Sequence, residues 1–146
     1  NMDINIDCMR KVIEFCIKNI DYEEIEPNEW RENYIDLNML YNSKELKNFQ
    51  HKDIMHSVMK LYEAQYLKLK EVRPSNTTYI NYCTITDVTM LGHNFYESVK
   101  DETVWEKTKK LAASAGNHTL HFLEETAQKI AVATVQQAVT VVMTKK

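Results

Sequence analysis

Apolar residues recur at helical spacing near the start of the chain. Ile6, Met9, Ile13, Cys16 and Ile20 share one face, and Val12 widens the stripe. Arg10, Lys11, Glu14 and Lys18 take the other side, and Asn5 and Asp7 suit a helix start, so residues 5–20 read as an amphipathic helix. Residues 21–33 are acidic and contain Pro27, which predicts a loop, with Trp30 anchoring it to the core. Tyr34, Ile35, Leu37, Met39 and Leu40 form a short apolar segment with the character of a strand. Ser43 suits the N-cap of a short helix over 44–49.

The next stretch separates two periods. Over residues 51–66 a 100° step puts Ile54, Met55, Val58, Leu61, Tyr62 and Tyr66 on one half of a helix. Lys52, Asp53, His56, Ser57, Lys60 and Glu63 fall on the other half. Residues 67–73 instead alternate apolar and polar, the period of a strand, until Pro74, Ser75 and Asn76 break it. Residues 78–86, rich in Thr, Tyr and Ile, predict a second strand and hence a hairpin. Leu91, Phe95 and Val99 mark a helix over 88–99. Thr103 and Glu106 form a capping-box pattern before a short helix, residues 112–117 form a linker, and a last helix runs over 119–143. The order helix, short strand, short helix, helix, strand, turn, strand is the connectivity of a winged helix-turn-helix. The expected class is therefore α+β and mainly helical, with a winged helix-turn-helix-like domain over 1–112 and a C-terminal helical extension over 113–146.

Composition sharpens what is absent. Of 146 residues only two are Gly and two are Pro. A dinucleotide fingerprint or phosphate-cradling loop needs several glycines in one turn, and a β-rich fold needs many tight turns. The three cysteines, Cys8, Cys16 and Cys83, are odd in number and fall on apolar faces, so they read as reduced core residues of a cytoplasmic protein. Cys8 and Cys16 would stand about 12 Å apart along one helix, too far for a bridge. The polar, charged N-terminus carries no signal-peptide pattern. The net charge of −3 is uneven: residues 1–43 hold four basic and ten acidic side chains, 44–73 hold seven and four, and 74–146 hold seven of each. An anionic partner would meet the middle segment.

One block is more specific. The run from Ile85 through Gly92-His93-Asn94-Phe95 and Lys100-Asp101 to Val104-Trp105 resembles a domain-of-unknown-function family found in phage, prophage and bacterial genomes. Cys8-Met9-Arg10-Lys11-Val12-Ile13 and Leu61-Tyr62-Glu63-Ala64-Gln65-Tyr66-Leu67 are similar to two further patterns of that family. The resemblance implies a winged-helix-like fold and no established activity. Gln65 stands where the family has the Gly that ends a helix in a left-handed conformation, so the turn into the hairpin is expected to differ here. Gly92 is expected to let another backbone approach closely.

Candidate chemistry is sparse. Lys52, His56, Ser57 and Lys60 on the 51–66 helix, with Lys68, Lys70 and Arg73 in or near the wing, suit a helix docked in a groove and a wing on the phosphate backbone. The competing interpretation is a solvated helix face, since Asp53 and Glu63 interrupt it. Its functional counterpart is a protein-interaction adaptor, favoured by the acidic 21–36 stretch. His118, His121 and Glu125 share a helix face at metal-ligand spacing but face away from the apolar stripe, which predicts a polar surface and no metal. No nucleophile has a visible base, so no enzyme and no cofactor are expected. Along the last helix the apolar residues spread unusually widely, and Ile130, Val132, Val135, Val139, Val142 and Met143 are the expected contacts of a homodimer. Gln136, Gln137 and Thr140 interrupt the run too often for a membrane span.

Overall fold

The computed structural model describes residues 3–144. The protein is α+β and mainly helical, with two small antiparallel sheets, and it forms two compact units, Asn1–Asn94 and Phe95–Lys146. The division falls inside a helix, earlier in the chain than the 112/113 step expected from the order of elements.

The first unit opens with α1 (Ile6–Asn19), capped by the Asn5 side chain, which accepts from the Cys8 N–H. Met9, Val12, Ile13 and Cys16 of the stripe are buried, Ile6 and Ile20 at its ends are partly buried, and Cys8 is buried beside them. Arg10, expected on the solvent side, is buried too. The acidic stretch that follows is a hairpin rather than a loop. Strand β1 (Asp21–Glu26) pairs antiparallel with β2 (Glu29–Asn33) through a tight turn at Pro27 and Asn28. Asn28 has φ 67°, so Pro then Asn occupy the two central positions of a type II-like turn, which needs φ > 0 at the second. Every residue of both strands is exposed, and Trp30, at 61 % exposure, anchors nothing in the core.

The apolar segment at 34–41 divides into a two-residue strand and a helix. β3 (Ile35–Asp36) ends where the Asp36 carboxylate accepts from the Met39 N–H and starts α2 (Leu37–Tyr41). Residues 44–49 form turns rather than a helix, and the Ser43 hydroxyl donates back to the Leu40 carbonyl instead of capping forward. α3 (His51–Glu63) packs against α1 and α2, burying Ile54, Val58 and Leu61. β4 (Leu67–Val72) and β5 (Tyr82–Val88) form an antiparallel pair, and β3 joins the far side of β5, giving the order β3–β5–β4. β5 begins later than the Thr-rich run suggested, because residues 73–81 form the hairpin loop.

The α3–β4 turn keeps the left-handed form despite Gln65. Gln65 has φ 66°, and the Tyr66 N–H donates to the Leu61 carbonyl at 2.9 Å, a Schellman-type closure. The expected departure is thus one of side chain, not of backbone path. Helix α4 (Met90–Val99) starts directly on this turn. The Thr89 N–H donates to the Tyr66 carbonyl (3.0 Å), its hydroxyl donates to the Gln65 carbonyl (2.6 Å), and that hydroxyl accepts from the Gly92 N–H (3.1 Å). Gly92 faces the same carbonyl: a Cβ there would collide with the Tyr66 oxygen and stand 2.8 Å from Val88 Cγ1. The close backbone approach expected at Gly92 is that of Tyr66.

In the second unit the Asp101 carboxylate, not Thr103, caps α5 (Glu102–Ala115) by accepting from the Val104 N–H. α5 runs to Ala115, through part of the expected linker. Gly116, at φ 65°, then ends it in the left-handed conformation. The Thr119 hydroxyl accepts from the Phe122 N–H at the start of α6 (Leu120–Thr144). The first half of α6 packs on α5 and buries Leu123, Thr126 and Ala127. No helix among the described residues is long and apolar enough to cross a membrane.

Candidate interaction surface

The residues expected to contact DNA do not form one free basic patch. Ser57 is 1 % exposed and hydrogen-bonded with the Cys8 thiol, so it belongs to the core and cannot reach a groove. Its place on the wheel was polar only by residue type; the packing of α3 against α1 turns that edge inward. Lys60 is bound to the Glu63 carboxylate at 2.8 Å, and Arg73 Nε to Glu71 at 2.8 Å. His56 is half-buried. Lys52 on α3 and Lys68 and Lys70 on β4 are exposed.

Lys70 belongs to a feature that periodicity along the chain does not assemble. Register pairs Lys70 with Thr84 and Val72 with Tyr82, so all four side chains share one face of the sheet, on which Lys70, Val72 and Tyr82 are exposed and Thr84 is buried; Thr84 also pairs with Asp36. The Lys70 ammonium lies 5.7 Å from the centroid of the Tyr34 ring, a cation–π distance. The Tyr34 phenol donates to the Glu32 carboxylate on β2, and this bond raises its pKa, with the charges of Glu32, Tyr22 and Tyr82 pushing the same way. Tyr22, Trp30 and Tyr82 are all more than half exposed. On the hairpin, Tyr22 faces Glu32 and Glu24 faces Trp30, so aromatic rings and carboxylates interleave on one side. Residues 21–33 carry six carboxylates against one Arg, and that Arg31 is bound to Glu23 at 2.7 Å. Beside this face an open cleft is lined by Asp36, Asn38, Tyr41, Asn81, Tyr82 and Cys83. Tyr41 in turn stacks on His51 at 4.2 Å between centroids.

Tyr22, Trp30, Tyr34 and Tyr82, scattered along the chain and divided between two sheets, carry no periodic signal, so only the fold could bring them to one region. The one visible hint was Lys70 alternating with apolar residues along 67–73.

Elsewhere the chemistry is quiet. Burial raises the Cys8 thiol to about 11, opposed in part by the Ser57 hydrogen bond, and raises Cys83 to about 11; burial pushes Cys16 up as well. None of the three is a thiolate near neutral pH. His118 precedes α6, so it does not share the helical face of His121 and Glu125, which pair with each other at 3.3 Å. Among the described residues no three His, Cys, Asp or Glu side chains converge as a metal site requires.

The fold defines a small α+β protein, mainly helical, with an exposed aromatic and acidic face. The chain belongs to the family described as "Hypothetical protein (DUF2513)", which matches residues 4–118. No curated protein and no solved structure matches it.

Proposed function

We propose that this protein acts by binding rather than catalysis, as a winged-helix-like protein-interaction module of phage, prophage or bacterial type. The order α1, β3, α2, α3, β4, β5 with sheet order β3–β5–β4 is compatible with a winged helix, the hairpin β1–β2 being an insertion. One observation carries the reading. Of the four aromatics of the first unit that are more than half exposed, three, Trp30, Tyr22 and Tyr82, lie on or beside a hairpin whose charge is strongly negative, and the fourth is Tyr79. Exposed aromatic side chains anchor protein partners, whereas a run of carboxylates repels a phosphate backbone. A homodimer through α6 would present two such faces.

DNA binding is the second reading, supported by Lys52, Lys68 and Lys70, which are exposed and form no ion pair shown among the described residues. Two assays separate the readings. Real phosphate contact requires affinity for random duplex DNA that falls steeply above about 50 mM salt and weakens in Lys68→Glu/Lys70→Glu. For the protein reading, cross-linking in a bacterial lysate should yield partners held by the wild type and lost in Trp30→Ala/Tyr82→Ala. The same partners on both proteins would count against the aromatic face.

A further inference from the structure

Helix α6 changes character halfway. Its first half packs through Leu123, Thr126 and Ala127, while every described residue from Val132 to Thr144 is exposed. That exposed half is not polar. Val132, Val135, Val139 and Val142 are each about half to three-quarters exposed. They follow one another at steps of three, four and three, the spacing of alternating a and d positions in a heptad. At 100° per residue this seam lies on roughly the opposite side of the helix from Leu123, Ala127 and Ile130. The same chain thus carries two apolar stripes on one helix, and only the first has a partner in its own unit.

We infer that the valine seam is a helix–helix interface, and that its occupant is the same seam of a second copy of this chain. The inference deepens the self-association proposed above by naming the surface that makes it. Three observations select a second copy. Taking Val132 as a, the flanking e and g positions are Ala131, Gln136, Ala138 and Met143, all uncharged, and no charged residue occurs from 130 to 144. Like therefore meets like without repulsion, and no charge is present to specify a different partner. The small Ala131 lies beside Val132, Val135 and Gln136 in a shallow apolar groove, where a facing side chain can enter. Finally, valine is a weak helix former, so a long valine- and threonine-rich helix without tertiary cover needs a partner to hold it. The seam is short compared with a standard interface of roughly 800 Å² per partner, so a concentration-dependent monomer–dimer equilibrium is expected.

The test is sedimentation equilibrium of the full chain from about 1 to 200 μM, for the wild type and for Val135→Ala/Val139→Ala. Alanine is the better helix former, so the double variant keeps or raises intrinsic helicity while removing the methyl groups that pack. The expected result is a wild-type monomer–dimer equilibrium in this range and a dissociation constant raised on the order of 100-fold in the variant. Circular dichroism of the variant should show helix content at or above that of the dilute wild type. A wild type that stays monomeric at 200 μM would overturn self-association itself. A wild-type dimer that the variant leaves intact would overturn the seam alone, because another surface would then hold the copies together.

Discussion

Gly92→Ala places one methyl group where the chain has no room. Its Cβ would collide with the Tyr66 carbonyl oxygen and lie 2.8 Å from Val88 Cγ1. In an exposed helix this substitution stabilises by about 1 kcal/mol, because glycine is the poorer helix former. Here the neighbour is backbone, and it is fixed. The Tyr66 carbonyl accepts from the Thr89 N–H at 3.0 Å, while the Thr89 hydroxyl bridges Gln65 and Gly92 at 2.6 and 3.1 Å. Relief requires either shifting α4 off the turn or losing the Tyr66–Thr89 hydrogen bond. Overpacking costs about 1–3 kcal/mol, and an orphaned buried backbone group adds about 1–3 kcal/mol. Where both costs apply, subtracting the propensity gain leaves an expected net loss of about 1–5 kcal/mol. Urea unfolding followed by circular dichroism reads it as a lower midpoint at unchanged slope. A variant as stable as the wild type, or more stable, would refute the claim that this contact requires a missing side chain.

Other substitutions probe separate parts of the structure. Gln65→Gly removes the left-handed cost of a residue with a side chain at φ 66° and should stabilise by about 0.5–1 kcal/mol, read by the same urea titration. Burial pushes the Glu14 carboxyl up, but its hydrogen bond to Lys18 and the charges of Lys11, Lys18 and Arg10 outweigh that and hold it below the usual 4.5. The linked stability is present above pH 4.5 and lost as pH falls through the lowered folded value. Glu14→Gln should therefore cost up to about 1 kcal/mol at neutral pH and converge with the wild type in acid. Cys8, Cys16 and Cys83 should resist a thiol reagent at pH 8 and react only at the rate of unfolding; fast labelling of any of them in native buffer would contradict their burial. Trp30→Ala should change stability by less than about 0.5 kcal/mol, since the indole packs against little, and a larger loss in thermal melting would show a hidden anchoring role.

Helical periodicity was readable wherever one face of a helix meets one core. The α1 stripe, the Ile54–Val58–Leu61 row of α3 and the start of α6 were all legible, because burial imposes a 3.6-residue period on the chain itself. So were β4, from its alternation, and the close approach at Gly92, from a glycine standing inside a helix. The 21–33 hairpin was missed because both its faces are exposed, so no burial imprints a period of two on it. The caps at Asp101 and Thr119 were displaced or unseen because several polar residues near each helix end could serve, and the backbone path selects one.

Pairing and packing decided the rest. Ser57 looked like a surface hydroxyl until α1 covered it and the Cys8 thiol became its partner. Lys60 and Arg73 looked like free charges until Glu63 and Glu71 reached them. The aromatic face exists only through the fold, which brings Tyr34, Lys70 and Tyr82 together from segments far apart in sequence. The sequence by itself determined the longer helices α1, α3, α4 and α6, since a buried stripe sets a local period, but not the short α2. Which side chains share a surface was left to tertiary structure, because contacts between distant segments depend on how elements pair and not on the period within any one of them.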